Sequence, residues 1–352
     1  MKKSKKYLII SASVCMGAGI IAGGIGFLLG GRPGFYVNAS GVHSYNDTAA
    51  NGNNCLEKTK LDPFTSVSIN IPAGNIHIIP SDDYYLEYHL ASGAGKTDYY
   101  VEDGVFTMTV KATDSFLGFN FLSFGNILNP KSDYVNLYVP GSQSLETVEL
   151  TADMGDITID SIEAASMTLE LSMGDLRMEA FDGNSLTAVM DSGSFDAGTI
   201  SGKAVTIQNN MGDVTCDSLS ADDASITLDM GSLDLETCTA GVLSIENGMG
   251  DVDIRYLENT EQGTVTMDMG SFCAEECVLT ALTVTNGMGD IDMGLTGTID
   301  DYALDLSTDL GDVDVEGYDQ DGNLGSRFVS TNKDANALSA HSDSGSVSIH
   351  FK

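Results

Sequence analysis

The chain has 352 residues, including 39 glycines and no tryptophan, and its formal net charge at pH 7 is −35. Such an excess of carboxylates excludes nucleic acid and a bare anionic lipid surface as electrostatic partners. The charge is instead typical of a domain on an outer surface, or of one that recruits cations.

The amino terminus has the pattern of a membrane anchor. Residues 1–6 are rich in lysine, and residues 7–31 contain no charged side chain. A helix of that length, rising about 1.5 Å per residue, can cross a bilayer. We therefore expect a basic cytoplasmic tail (1–6), an uncleaved transmembrane signal anchor (7–31) and an extracellular remainder, as in a single-pass protein of the cell membrane. A cleaved signal peptide is the alternative, although no small-x-small cleavage site follows the apolar run.

The next two segments are expected to connect the anchor to a folded domain and to close one end of that domain. Residues 32–62 are rich in Asn, Gly, Ser and Thr, which predicts a flexible tether. Residues 63–150 contain alternating apolar runs at irregular spacing. They predict irregular first coils and a cap for the regular repeats that follow.

A cluster of large apolar side chains interrupts the cap segment. Its members are Phe116, Leu117, Phe119, Phe121, Leu122 and Phe124. One interpretation is a loop that folds over the open end of the core. The other is an exposed loop that contacts a partner protein or the membrane.

Glycine recurs through the second half of the chain at a nearly constant interval of about 19 residues. The recurring residues are Gly155, Gly174, Gly193, Gly212, Gly231, Gly250, Gly270, Gly289, Gly311 and Gly345. A fixed short period predicts a solenoid, in which each repeat buries its apolar face against its neighbours. Residues 151–352 are therefore expected to form the regular repeats.

The residues around each glycine alternate between apolar and polar with the period of a β-strand. After Gly231, for example, Leu233 and Leu235 lie on one face with Asp234 between them. Before the glycine the apolar positions have the opposite parity, so the chain must bend there. This alternation disfavours a helical repeat. It predicts an all-β fold, a single-stranded parallel β-helix-like solenoid with two strands and two turns per coil, preceded by one transmembrane helix.

Patterns that carry catalysis are absent from the sequence. No phosphate loop, nucleophile elbow or catalytic triad order is visible, so no catalytic residue is expected and the protein is not expected to be an enzyme. The methionines that precede the glycines are expected to fill turn corners rather than to bind copper. Most cysteines are expected to be buried small apolar residues, with Cys55 or Cys273 exposed.

Calcium is the one cofactor that the pattern of acidic residues suggests. The outward-facing Asp234, Asp253, Asp292 and Asp314 are candidate ligands, together with turn carbonyls. The glycine–aspartate nonapeptide of calcium-binding β-rolls is absent. Solvated surface carboxylates, with no cofactor, are therefore the default expectation.

Three segments carry a resemblance to a known family. They are FTSVSINIPAGNIHIIPSDD (64–83), YVNLYVP (134–140) and the repeated turn of the MGDITID type (154–160). Over about residues 60–352 the chain resembles the bacterial putative adhesins with glycine–aspartate β-strand repeats, a domain of unknown function common in membrane-anchored Gram-positive proteins. The resemblance implies a cell-surface β-solenoid, a link to envelope stress in some members, and no catalytic residues.

Two functions are consistent with these expectations. The first is a non-enzymatic surface protein, adhesin-like or a scaffold, that binds a cell-surface protein or a polysaccharide and is held to the membrane by its amino-terminal helix. The alternative is an envelope-stress sensor or signalling subunit that docks on other membrane proteins. The sequence specifies neither the ligand nor the oligomeric state.

Overall fold

The structure is a computed structural model that describes residues 35–38, 41–44, 54–90, 96–111, 133–141, 143–317, 325–330, 332 and 336–352. Within these residues no helix combines the length and the hydrophobicity needed to cross a bilayer. The expected anchor at 7–31 and the apolar cluster at 116–124 lie outside the described residues and stay predictions.

The described chain is almost entirely β-structure, and most of its strands form one 23-stranded, largely parallel sheet. A separate antiparallel pair joins β1 (Phe35–Asn38) and β2 (Gly41–Ser44). The regular part of the large sheet contains β10 (Ser144–Met154), β11 (Ile157–Ile159), β12 (Ile162–Met173), β13 (Leu176–Met190), β14 (Phe195–Met211), β15 (Val214–Met230), β16 (Leu233–Met249), β17 (Val252–Met269), β18 (Phe272–Leu279), β19 (Ala281–Met288) and β20 (Ile291–Leu295).

Successive coils pair in parallel, and equivalent positions of the repeat lie opposite each other. Ile207 of β14 pairs with Ile226 of β15, which in turn pairs with Ile245 of β16. These three side chains are buried in a core that runs through the whole stack. Stacking like on like in this way gives every inner position an apolar neighbour above and below. The all-β, parallel solenoid predicted from the glycine spacing is confirmed.

Each coil has three bends, one more than the sequence pattern indicated. In β15 the buried positions change parity within the strand, and they change again at the glycine turn. The buried residues are Val214 and Cys216, then Leu219 and Ala221, then Ala224, Ile226 and Leu228. The pairing with both neighbouring coils skips Asp217 and Asp222, which mark the two inner corners. Because pairing resumes immediately after each skipped residue, these corners leave no turn signal, and the expectation of two strands and two turns per coil is wrong.

The amino-terminal end of the stack consists of shorter, partly antiparallel strands. They are β3 (Cys55–Lys60), β4 (Ser66–Ile71), β5 (Asn75–Ser81), β6 (Tyr85–His89), β7 (Lys96–Glu102), β8 (Val105–Lys111) and β9 (Tyr134–Pro140). The coil formed by β4 and β5 lies between β8–β9 and β10–β11. The pairs β3–β6, β6–β9 and β7–β8 are antiparallel.

Part of the segment expected to be a tether belongs to this end. Residues Cys55–Lys60 form β3, and Leu56 packs against the core. The edge of β6 presents unpaired backbone groups, and β3 satisfies them by pairing there. The expected tether at 32–62 is therefore too long at its carboxyl end.

At the carboxyl-terminal end the order of the coils in space differs from their order in the chain. The strands are β21 (Tyr302–Leu310), β22 (Val313–Val315), β23 (Arg327–Val329), β24 (Asn336–Ser344) and β25 (Val347–Phe351), with a 3-10 turn at Ile299–Asp301. The last coil, β24–β25, lies between β19–β20 and β21–β22. Gly345 consequently stacks between Gly289 and Gly311. This insertion explains the long last interval of the glycine series.

Candidate binding surfaces

The recurring glycines form a ladder along one edge of the stack. Gly212 and Gly231 have φ values of 131° and 151°, which L-residues rarely adopt. A Cβ at either position would overlap the carbonyl oxygen of the ladder glycine in the preceding coil. The ladder begins with Gly74, which the predicted series did not include and which has a φ of 125°. These glycines serve the frame and offer no functional group.

Buried amides support the glycine turns in alternate coils. The side-chain nitrogen of Asn209 donates to the carbonyls of Gly193 and Gly212, at 2.9 and 3.0 Å. Asn247 and Asn286 occupy the same position two and four coils further along, and both are buried. The amides satisfy carbonyls that the bend removes from the sheet ladder.

The residue after each glycine also connects neighbouring coils. The carboxylate of Asp213 accepts a hydrogen bond from the backbone N–H of Ser232, at 2.9 Å. The Ser232 hydroxyl in turn accepts from the Asp251 N–H at 3.4 Å. Asp156 accepts from the Asp175 N–H at 3.0 Å. The aspartates that follow the glycines are therefore acceptors for the backbone of the next coil.

The methionines that precede the glycines form an exposed stripe beside the ladder. The methionine stripe comprises Met154, Met173, Met211, Met230, Met249, Met269 and Met288, and their exposure ranges from 38% to 59%. Five consecutive coils contribute Met211 to Met288, which at the spacing of β-strands spans about 20 Å. The expectation that these side chains fill turn corners is wrong. The two positions before each glycine already project beyond the core, so no inner layer covers them.

Exposed carboxylates lie on both sides of the methionine stripe. Asp229 and Asp268 precede stripe residues, and Asp213, Asp251 and Asp290 follow the glycines of the alternate turns. The stripe therefore presents thioethers and methylenes along its middle and negative charge along its margins. Exposed apolar patches of roughly 300–600 Å² mark interaction surfaces in many monomers. A ligand complementary to this surface would combine apolar groups with positive charge.

The four candidate calcium ligands are only partly brought together. Asp234 and Asp253 lie opposite each other in β16 and β17. Asp292 is separated from Asp253 by Cys273 in the coil between them, and the His350 imidazole lies 3.3 Å from its carboxylate. Asp314 lies further along the stack than Asp292. Two adjacent carboxylates, rather than four, face outward together.

The pair of Asp234 and Asp253 has a distinct electrostatic environment. Burial raises the pKa of Asp253 above its usual range, and the neighbouring carboxylates of Asp251, Asp234 and Glu275 raise it further. The folded protein therefore holds a proton at Asp253 more tightly than the unfolded chain does. This part of the surface favours any cation that reduces the repulsion.

The described cysteines are free thiols. Cys238 and Cys277 occupy the same column of the repeat, with Leu257 in the coil between them. Burial raises the pKa of each of these two thiols to about 12, and that of Cys216 to about 11. These three cysteines are unreactive parts of the core, whereas Cys55 is exposed.

One group of metal-ligand side chains was missed by the sequence reasoning. Asp309, His341 and Asp343 have ligand atoms that all lie within 4.8 Å of one another. Asp309 is far from the other two in sequence, and neighbouring coils bring them together. The available signal was the position of each residue relative to Gly311 or Gly345. Asp309 and Asp343 each precede their glycine by two residues, and His341 precedes Gly345 by four.

The chain is similar to one protein family and to several solved structures. The family profile described as Toastrack DUF4097 matches residues 64–350. No curated protein is significantly similar to the chain. A similar solved structure from Bacteroides fragilis is described as a putative adhesin, with 13% identity, coverage of 84% of this chain and 95% of that chain, and a TM-score of 0.33. A structure from Clostridium sporogenes is described as a putative cell adhesion protein (12% identity, 84% and 98% coverage, TM-score 0.19). A third, from Parabacteroides distasonis, is described as a putative lipid binding protein (10% identity, 85% and 97% coverage, TM-score 0.36).

Proposed function

The chain belongs to the Toastrack DUF4097 family, and from that premise we propose that it is a non-enzymatic, adhesin-like binding or scaffold protein of the cell surface. Residues 7–31 hold it in the membrane with the amino terminus in the cytoplasm, and the coils lie outside the cell. Binding uses no cofactor and no catalytic residue. A cell-surface protein is the preferred ligand, and a polysaccharide is the other candidate.

The observation that carries this proposal is the methionine stripe with its acidic margins. The stacked coils repeat one exposed side chain at a fixed spacing, so the surface is a row of equivalent contacts on a rigid frame. Methionine adapts to irregular apolar partners at little cost. The carboxylates beside it attract basic groups and suppress anionic ones. A protein surface with lysine or arginine next to apolar side chains fits both features better than a neutral polysaccharide does.

The binding surface is tested by removing the thioethers without changing the frame. In the full chain, Met211, Met230 and Met249 are replaced together by serine. Serine occupies the same repeat position naturally at Ser192 and Ser344. We expect binding to cells and to immobilised surface proteins to weaken at least about tenfold, which corresponds to about 1.4 kcal/mol.

The matched control removes exposed apolar side chains elsewhere. Val242 and Val278 are 39% and 38% exposed and lie outside the stripe. The Val242→Ser, Val278→Ser variant should bind like the unmodified chain. Equal binding by the methionine variant and this control would contradict the proposed surface. A glycan array in parallel identifies a polysaccharide ligand by a signal that the methionine variant lacks.

The alternative function uses different parts of the chain. A sensor or signalling subunit would dock on other membrane proteins through residues 7–31 and the apolar cluster at 116–124. Cross-linking in intact membranes separates the two functions. Discrete adducts with membrane proteins that disappear when 115–128 are deleted favour the sensor. Cell binding that the methionine variant loses favours the adhesin.

A further inference from the structure

The cluster of Asp309, His341 and Asp343 lies where the last coil is inserted into the stack. Asp309 is on β21 and the other two residues are on β24, and these strands pair in parallel. The two carboxylates are exposed, and the imidazole is partly exposed. All three ligand atoms therefore face the same side of two adjacent coils and are accessible from solvent.

The imidazole is already oriented for a metal ion. The Ser307 hydroxyl lies 2.9 Å from Nδ1 of His341, and the Asp343 carboxylate lies 3.0 Å from Nε2. When Nδ1–H donates to the Ser307 oxygen, Nε2 keeps its lone pair toward the carboxylates. A hydrogen bond of this kind to the other ring nitrogen is the usual support of a histidine ligand.

The same repeat position elsewhere in the stack keeps acidic side chains apart. In spatial order from Asp153 the residues two places before the glycine are Asp153, Ser172, Asp191, Asn210, Asp229, Gly248, Asp268, Gly287, Asp343 and Asp309. Asn210 donates to the Asp191 carboxylate at 3.1 Å. Within this described column, only Asp343 and Asp309 bring two carboxylates into adjacent coils. Two such charges repel unless a cation lies between them.

The neighbours of the cluster leave room for an ion. On the side of β19, Thr285 pairs with His341. Gly287 occupies the position next to Asp343 and has no side chain that could cover it. On the opposite side, β23 places Arg327 next to Ser307, and the Arg327 guanidinium lies 3.2 Å from the Asp305 carboxylate. The hydroxyl of Ser307 contacts the imidazole of His341.

We propose that Asp309, His341 and Asp343 bind a divalent ion of the zinc class, which joins the inserted coil β24–β25 to the outer coil β21–β22. Zinc accepts imidazole nitrogen and carboxylate oxygen at about 2.0–2.2 Å and completes a tetrahedral site with a water molecule. The imidazole selects against calcium and magnesium, which prefer oxygen ligands only. The site adjoins the end of the methionine stripe at Met288, since Met288 pairs with Ser344 next to Asp343. Zinc binding does not depend on the proposed binding function.

The test is calorimetric titration of the full chain with zinc chloride, after treatment with chelator and without a histidine tag. We expect one zinc per chain, and a higher thermal midpoint with zinc than without. His341→Gln and Asp309→Asn should each weaken binding at least about tenfold and abolish the thermal shift. Circular dichroism without metal shows whether each variant keeps its fold.

The matched control is His350→Gln. His350 lies 3.3 Å from Asp292, and within the part of the chain that the structure describes no third metal-ligand side chain joins this pair. This variant should bind zinc like the unmodified chain. Unchanged zinc affinity in folded His341→Gln, or a calcium response as large as the zinc response, would overturn the proposal. If His341→Gln does not fold, the zinc affinity of Asp309→Asn decides the test, because asparagine keeps the shape of the aspartate side chain.

Discussion

Two constraints act on Gly231, as they do at most turns of the ladder. At Gly231 the backbone requires a φ of 151°, and the carbonyl of Gly212 occupies the space where a Cβ would lie. The first constraint strains the backbone of any residue that has a Cβ. The second is met by glycine alone, because the obstacle is backbone that is fixed by the pairing of the coils.

Gly231→Ala should therefore destabilise the protein far more than alanine at a turn that has the backbone constraint alone. We expect a loss of about 3 kcal/mol or more in the free energy of unfolding, measured by urea denaturation. Gly317 is the control, since its φ is 78° but nothing lies within 4 Å of an added Cβ. Gly317→Ala should cost only about 1–2 kcal/mol. Similar losses in both variants would show that backbone strain alone explains the ladder.

Position relative to the glycine does not by itself determine exposure. The methionine before each glycine has the parity of a core residue, yet it is exposed because the chain has already left the core. Asp217 and Asp222 lie at corners of the coil, and the repeat pattern does not reveal these corners either. At the scale of residues, the pattern predicts the sides of the coil better than its corners.

At the scale of elements, the two ends of the stack share an arrangement. Near each end of the stack a coil is inserted between two others: β4–β5 at one end and β24–β25 at the other. The outermost positions are therefore filled by segments from the interior of the sequence. A coil that lies inside the stack cannot fray without separating two layers of core.

Deleting residues 336–352 should therefore affect more than the last coil. We expect β21 and β22 to lose their protection against amide hydrogen exchange, because β24 is the parallel partner of β21 and β25 is the parallel partner of β22. Deleting residues 302–330 removes β21 and β22, which form the outermost coil in space although β24 and β25 follow them in the sequence. It should leave β24–β25 protected by β19–β20. Protected β21 and β22 after the first deletion would contradict the inserted order.

At the scale of the whole molecule, stability is expected to depend on charge. The chain has 51 acidic and 16 basic residues, and adjacent coils place carboxylates such as Asp234 and Asp253 side by side. Repulsion among them opposes the compact state and is screened by salt over a Debye length of about 10 Å at 0.1 M.

The thermal midpoint should rise with salt and with mild acidification, measured in the presence of chelator so that bound metal does not contribute. The pKa of Asp253 is raised by folding. Its ionisation therefore costs stability above the folded pKa, and that cost disappears as the pH falls through this value. Asp253→Asn should make the thermal midpoint less dependent on salt and on pH. A midpoint that falls with added salt would show that repulsion does not limit stability.

The sequence by itself determined the repeat, its β-structure and the family. The resemblance to the bacterial adhesin repeats is confirmed by the profile match over residues 64–350. These properties are local, because the glycine interval and the alternation of apolar residues are set within one coil. The exposure of the methionine stripe, the third bend, the inserted terminal coils and the meeting of Asp309 with His341 and Asp343 were decided only by the tertiary structure. They depend on which coil lies next to which, and that order is fixed by pairing between segments that are distant in the chain.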